Sequence, residues 1–221
     1  MIVTAHPDDE VMFFGPTILH FTGREDTLVY LVCMSTGNYY GHGRTRGQEL
    51  LASCGVLGVA VDNVYLYRCD AMPDHPDVLW PTQRTANIIN HHIHALDVDM
   101  VVTFDSGGTW DGRQPLRLVF RLAPLVEPST ATQYVLNGYR EFRCEAYSLD
   151  TVGLVRKYSS LLDVPLSYSM SSCAFTTDRK NHSILQVCVC VCVCVCVVGP
   201  PSLGKVSFSR VRIRNSHFSF F

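Results

Sequence analysis

The chain has almost no charge imbalance and no long apolar run. Lys and Arg number 18 against 20 Asp and Glu, a net charge of −2. That balance excludes the basic footprint of a nucleic-acid binder. No stretch reaches the ~18 consecutive apolar residues of a membrane-crossing helix. Paired cysteine spacing is missing too. Of ten cysteines, five stand in a Val-Cys alternation within residues 187–198. The others, Cys33, Cys54, Cys69, Cys144 and Cys173, form no C-x-x-C. They are expected to be reduced, mostly buried thiols of a cytosol-facing protein. A cleavable leader is not expected, since Met1 runs directly into an apolar strand pattern. Histidine is absent between His94 and His182.

What is present suits a folded α/β protein. The 221 residues are 47% hydrophobic, enough for one domain with a sizeable core. Short apolar runs at 2–4, 28–34, 64–67 and 100–104 alternate with helical patterns at 10–21, from Thr45 to Gly58, and from Pro81 onward. Gly15-Pro16 should kink the first helix. Leu50, Cys54 and Leu57 share one face of the second, and Gly58 should stop it. Ala86, Ile89, Ile93 and Leu96 point inward from the third, leaving His91, His92 and His94 on a solvated face. Strands alternating with helices predict a Rossmann-like, doubly wound parallel sheet with right-handed crossovers.

Ligand sites of such sheets lie beyond the carboxyl ends of the strands. There the chain places Ala5-His6-Pro7-Asp8-Asp9-Glu10. Asp is common at a helix N-cap, so two aspartates alone would mean little. His6 has no capping role, and Pro7 stiffens the turn. An imidazole beside carboxylates can bind zinc, and a further carboxylate can act as general base. The topology brings Ser35, Asp70 and Asp105 to the same edge. Asp70 either binds a ligand or stabilises its own turn. Arg46 and Glu49 are spaced for a surface ion pair.

The hexapeptide resembles the LmbE-like zinc de-N-acetylases. Met12-Phe13-Phe14, S-T-G-N-Y-Y from Ser35, T-R-G-Q-E-L-L-A-S-C-G-V-L-G from Thr45, and L-V-R-K-Y-S-S-L-L-D-V-P-L-S from Leu154 resemble its eukaryotic branch. That branch acts on N-acetylglucosaminyl-phosphatidylinositol in the GPI-anchor pathway, at the cytoplasmic face of the endoplasmic reticulum membrane. The resemblance implies His6 and Asp9 as ligands of Zn2+ or another divalent metal, Asp8 as the base, and Arg46 near the substrate. It implies a glycolipid substrate and peripheral membrane association, with no nucleic acid.

The resemblance has gaps. The branch carries its third ligand in a G-H-x-N-H-like motif after the fourth strand, where this chain has Thr109-Trp110-Asp111-Gly112-Arg113-Gln114-Pro115. Asp111 is a poor substitute, since nothing fixes its direction. Residues 110–143 match the family poorly and suggest a shifted frame or alternative exon. The expected domain is residues 1–168, followed by an irregular, low-complexity and disordered tail at 169–221. Two other functions stay open: an inactive variant that only binds, and a soluble deacetylase of other N-acetylglucosaminyl conjugates.

Overall fold

In the computed structural model, the described residues are 1–75, 77–78, 80–104, 144–149, 173–176 and 205–211. Seven strands form one sheet, β1 (Ile2–Thr4), β2 (Leu31–Cys33), β3 (Val64–Leu66), β4 (Met100–Phe104), β5 (Glu145–Leu149), β6 (Cys173–Thr176) and β7 (Lys205–Val211). Their order is β3-β2-β1-β4-β5-β7-β6. The first five pair in parallel, with Ile2 opposite Leu31, Leu31 opposite Val64, and Met100 opposite Glu145. This is the expected Rossmann-like arrangement. The order reverses between β1 and β4, which marks a topological switch point at the carboxyl end of β1.

β6 and β7 pair antiparallel and extend the sheet beyond β5. Both lie within 169–221, where an irregular tail is expected. Pairing along the β5 edge gives these two segments an order that their local sequence does not announce. The Val-Cys run, Asp105, Asp111, residues 110–143 and the 154–167 stretch lie outside the described residues.

The first helical region is two helices rather than one kinked helix. α1 (Asp9–Met12) stops short, and α2 (Gly15–Thr22) begins afresh with proline in its first turn. Proline suits that position because its missing N–H would have no helical partner. β2 is also shorter than its apolar run. β1 offers only three residues to pair with, so Leu28 stays outside the ladder and is 72% exposed. α3 (Gly43–Val56) buries Leu50 and Cys54, and the turn after it buries Leu57. Gly58 then turns with a positive φ of 83°, as its position predicts. α4 (Thr82–Ala95) buries Ala86, Ile89 and Ile93.

His92 corrects the expected solvated histidine face. It is buried, its ring lies 4.4 Å from that of Tyr65, and Nε2 lies 2.7 Å from the Tyr67 hydroxyl. His91 and His94 are exposed. β1, β2 and β4 are nearly covered, and Phe14 and Phe104 meet edge to face at 4.9 Å within the core. Cys33, Cys69 and Cys144 are thiols outside any disulfide among the described residues.

Candidate active site

The site is the turn that leaves β1. Asp8 adopts a positive φ of 112°, a costly conformation for a residue with a Cβ. Neighbouring groups hold it there. Its N–H donates to Glu10 Oε2 at 2.9 Å. Asp9 Oδ2 accepts from Ala5 N–H and His6 N–H, each at 2.9 Å. Asp9 thus ties the end of the strand to the start of α1.

Glu10 is fully buried and also accepts the Ser53 hydroxyl from α3. Burial raises its pKa to about 7, against the opposing pull of Ser53 and the Asp8 N–H. Burial raises Asp8 to about 7 as well, helped by the Asp9 charge and opposed by Arg46 and His6. Asp9 is likewise raised, by burial, with His6 and its two N–H donors opposing.

Arg46, on the first turns of α3, crosses to this turn. Its Nη2 donates to Pro7 O at 2.6 Å and to Asp8 Oδ2 at 3.0 Å, and its Nη1 donates to Gly37 O at 3.1 Å. Gly37 has φ 65°, and a Cβ there would lie 2.6 Å from the Arg46 Cζ. Ser35 supports the same turn by accepting the Gly37 N–H at 3.2 Å. Arg46 therefore pairs with carboxylates across the fold, not with Glu49 on its own helix.

The aspartate that meets His6 is Asp74, and not Asp70. Asp74 Oδ1 lies 3.0 Å from His6 Nε2, and its Oδ2 lies 3.8 Å from Arg46 Nη1. Asp70 is exposed, and among the described residues no hydrogen bond or ion pair joins it to this group. Trp80 closes the loop by donating its indole N–H to Pro73 O at 2.8 Å, with its ring edge-on to His6 at 6.0 Å. Burial would lower the His6 pKa, but Asp74, Asp9 and Asp8 outweigh it and raise it. Burial would raise Asp74, but His6, the Tyr39 N–H and Arg46 hold it below the usual carboxylate range.

His6 Nε2 is buried and has no aligned hydrogen-bond partner. Its approach to Asp74 satisfies distance but not direction, so the contact is electrostatic. A buried imidazole nitrogen with an unmet bonding direction, beside several carboxylates, has the chemistry of a cation ligand. The His6 imidazole and the Asp9 carboxylate are of donor types that divalent cations accept. Among the described residues, no three His, Cys, Asp or Glu side chains are arranged to hold a metal ion.

Sequence reasoning missed Asp74, Trp80, Ser53 and the role of Glu10. Trp80, one of two tryptophans, carries some signal. Nothing in the loop sequence ranks Asp74 above Asp70.

A mostly parallel sheet bearing an imidazole, aspartates and an arginine at its switch point defines an LmbE-like, Rossmann-type α/β protein. Solved structures share that fold. N,N'-diacetylchitobiose deacetylase from Pyrococcus horikoshii superposes with a TM-score of 0.53 at 13% identity, covering 95% of this chain and 82% of that one. A 4-carboxy-2-hydroxymuconate hydratase from Pseudomonas putida gives 0.56 at 12%, covering 99% and 98%. The fold alone therefore does not fix the reaction.

Residues 1–115 match the family described as GlcNAc-PI de-N-acetylase, and the chain belongs to that family. N-acetylglucosaminyl-phosphatidylinositol de-N-acetylase of Bos taurus is 40% identical over 167 residues, 76% of this chain and 62% of that protein. The probable enzyme of the same name from Dictyostelium discoideum is 30% identical over 191 residues, 77% of this chain and 72% of that protein. The chain thus spans about three fifths of the bovine relative's length.

Proposed function

We propose that the chain hydrolyses the acetamide of N-acetylglucosaminyl-phosphatidylinositol, in the GPI-anchor pathway at the cytoplasmic face of the endoplasmic reticulum membrane. Water adds across the amide C–N bond, so acetate leaves and a free amine stays on the sugar. The observation that carries this reading is the buried His6 imidazole, set among Asp74, Asp9 and Asp8 at the end of β1. The family supports the substrate.

His6 and Asp9 would hold a divalent cation, zinc being the best match to their donor types. When bound, the cation supplies Lewis-acid polarisation of the acetyl carbonyl and acidifies the attacking water. The remaining work falls to the chain's own residues. Asp8 takes the proton of that water and passes it to the departing amine. Arg46 fixes the Asp8 carboxylate and shares the site's border with Asp74, so both stand ready for sugar hydroxyls. Asp70 belongs to the outer loop, where a substrate contact would be peripheral. The two backbone N–H bonds to Asp9 Oδ2 hold its carboxylate against the end of β1.

The test is acetate release from the synthetic glycolipid by the purified chain, with Asp8→Asn alongside. Release that falls at least ~100-fold in Asp8→Asn supports the reading. Tight glycolipid binding without acetate would replace it with a binding role. That outcome has a specific basis in the absence of any histidine between His94 and His182 to complete the ligand set. Equal rates on soluble N-acetylglucosamine conjugates would remove the lipid from the substrate.

A further inference from the structure

An aromatic corner stands on the outer side of the site. Tyr40 is 78% exposed and Tyr39 46%. Their ring centroids are 4.7 Å apart at 79°, and the His75 ring lies 5.4 Å from Tyr39. Val78, also exposed, continues this surface and donates its N–H to His75 O at 3.2 Å.

The corner is fixed rather than loose. Tyr39 N–H donates to Asp74 Oδ2 at 3.1 Å, Gly41 N–H to Asn38 O at 3.0 Å, and Gly43 N–H to Asn38 Oδ1 at 2.8 Å. The aromatic pair is thus tied to the carboxylate that faces His6. Adjoining exposed charges have both signs, with Arg44 on one side and Asp77 on the other. A rigid, exposed aromatic cluster at the mouth of a site marks a contact surface.

We propose that Tyr39, Tyr40, His75 and Val78 seat the mouth of the site on the headgroup–acyl boundary of a lipid bilayer. This rests on the glycolipid reading: a substrate whose acyl chains stay in the bilayer presents its sugar only at that boundary. Tyrosine suits the position because its ring is apolar and its hydroxyl stays wet. No helix of the described residues is long and apolar enough to cross a membrane, so among them the contact falls to surface side chains. The mixed charge makes it an apolar contact, which zwitterionic lipid satisfies and salt screens little.

The experiment is co-sedimentation of the full chain with phosphatidylcholine vesicles that carry no glycolipid, at ~0.1 M and ~1 M salt. The double variant Tyr39→Ser, Tyr40→Ser should lower the partition coefficient at least about tenfold at both salts. Leu28→Ser removes a 72% exposed side chain that precedes β2 rather than following it, and should change nothing. Thermal melts confirm that both variants fold. Unchanged partition of the double variant, or an equal loss in Leu28→Ser, overturns the proposal. So does weakened binding of soluble N-acetylglucosamine with unaltered vesicle partition, which would assign the pair to the sugar. Since the vesicles hold no substrate, failure here leaves the deacetylase reading standing. Failure of acetate release strikes that reading alone.

Discussion

Arg46 Nη2 and Asp8 Oδ2 lie 3.0 Å apart across 38 residues of chain. Through Pro7 O and Gly37 O the same guanidinium also binds the turns after β1 and β2. Arg46→Ala leaves two carbonyls and one carboxylate without this donor. We expect a loss of about 2–4 kcal/mol in denaturant unfolding, together with a fall of at least ~100-fold in acetate release. Arg46→Lys should recover little of either, because an ammonium cannot reproduce the planar fork.

Gly37 is the counterpart of that contact. With φ at 65° and the Arg46 Cζ 2.6 Å from the place of a Cβ, the position excludes a side chain twice over. Gly37→Ala should destabilise the fold by about 1–3 kcal/mol and reduce acetate release in step with Arg46→Ala. Gly41→Ala, where φ is also positive but nothing stands within 4 Å, should cost less. Urea midpoints of the two variants decide the point.

Glu10 predicts a pH dependence of stability in protein stripped of metal with a chelator. Its folded pKa of about 7 exceeds its ordinary value of 4.5. Between these values the folded state keeps a proton that the unfolded state has lost. Its contribution is therefore fully present below pH 4.5 and is lost as pH rises through 7. Glu10→Gln, which cannot ionise, should gain stability relative to the native chain across that window and hold a constant advantage above it. A gap that does not change with pH would refute this.

His92 acts in the opposite sense. Burial lowers its pKa below the ordinary 6.5, so the folded state keeps it neutral, bonded to Tyr67. Its contribution is present above pH 6.5 and is lost as pH falls through the lowered folded value. Tyr67→Phe should cost about 1 kcal/mol at neutral pH. His92→Phe should flatten the acid limb of the stability profile, measured by unfolding between about pH 5 and 8.

The parallel sheet was legible because each strand and helix carries its own apolar period, and Leu50, Cys54, Leu57, Ile89 and Ile93 all lie where that period puts them. The turn at His6 was legible for a chemical reason: an imidazole and two carboxylates beside a proline have little to do in a core. Element ends were less so. The three-residue ladder of β1 shortened β2, and the missing N–H of Pro16 split one helix into two.

The sequence by itself determined the α/β alternation and the donor types at the end of β1, since both are properties of neighbouring residues. Only the tertiary structure decided that Asp74 meets His6, that Arg46 spans three loops, and that His92 turns inward. Those choices depend on which side chains the sheet order brings within a few ångströms, and residues 38 or 68 apart in the chain carry no local pattern of that nearness.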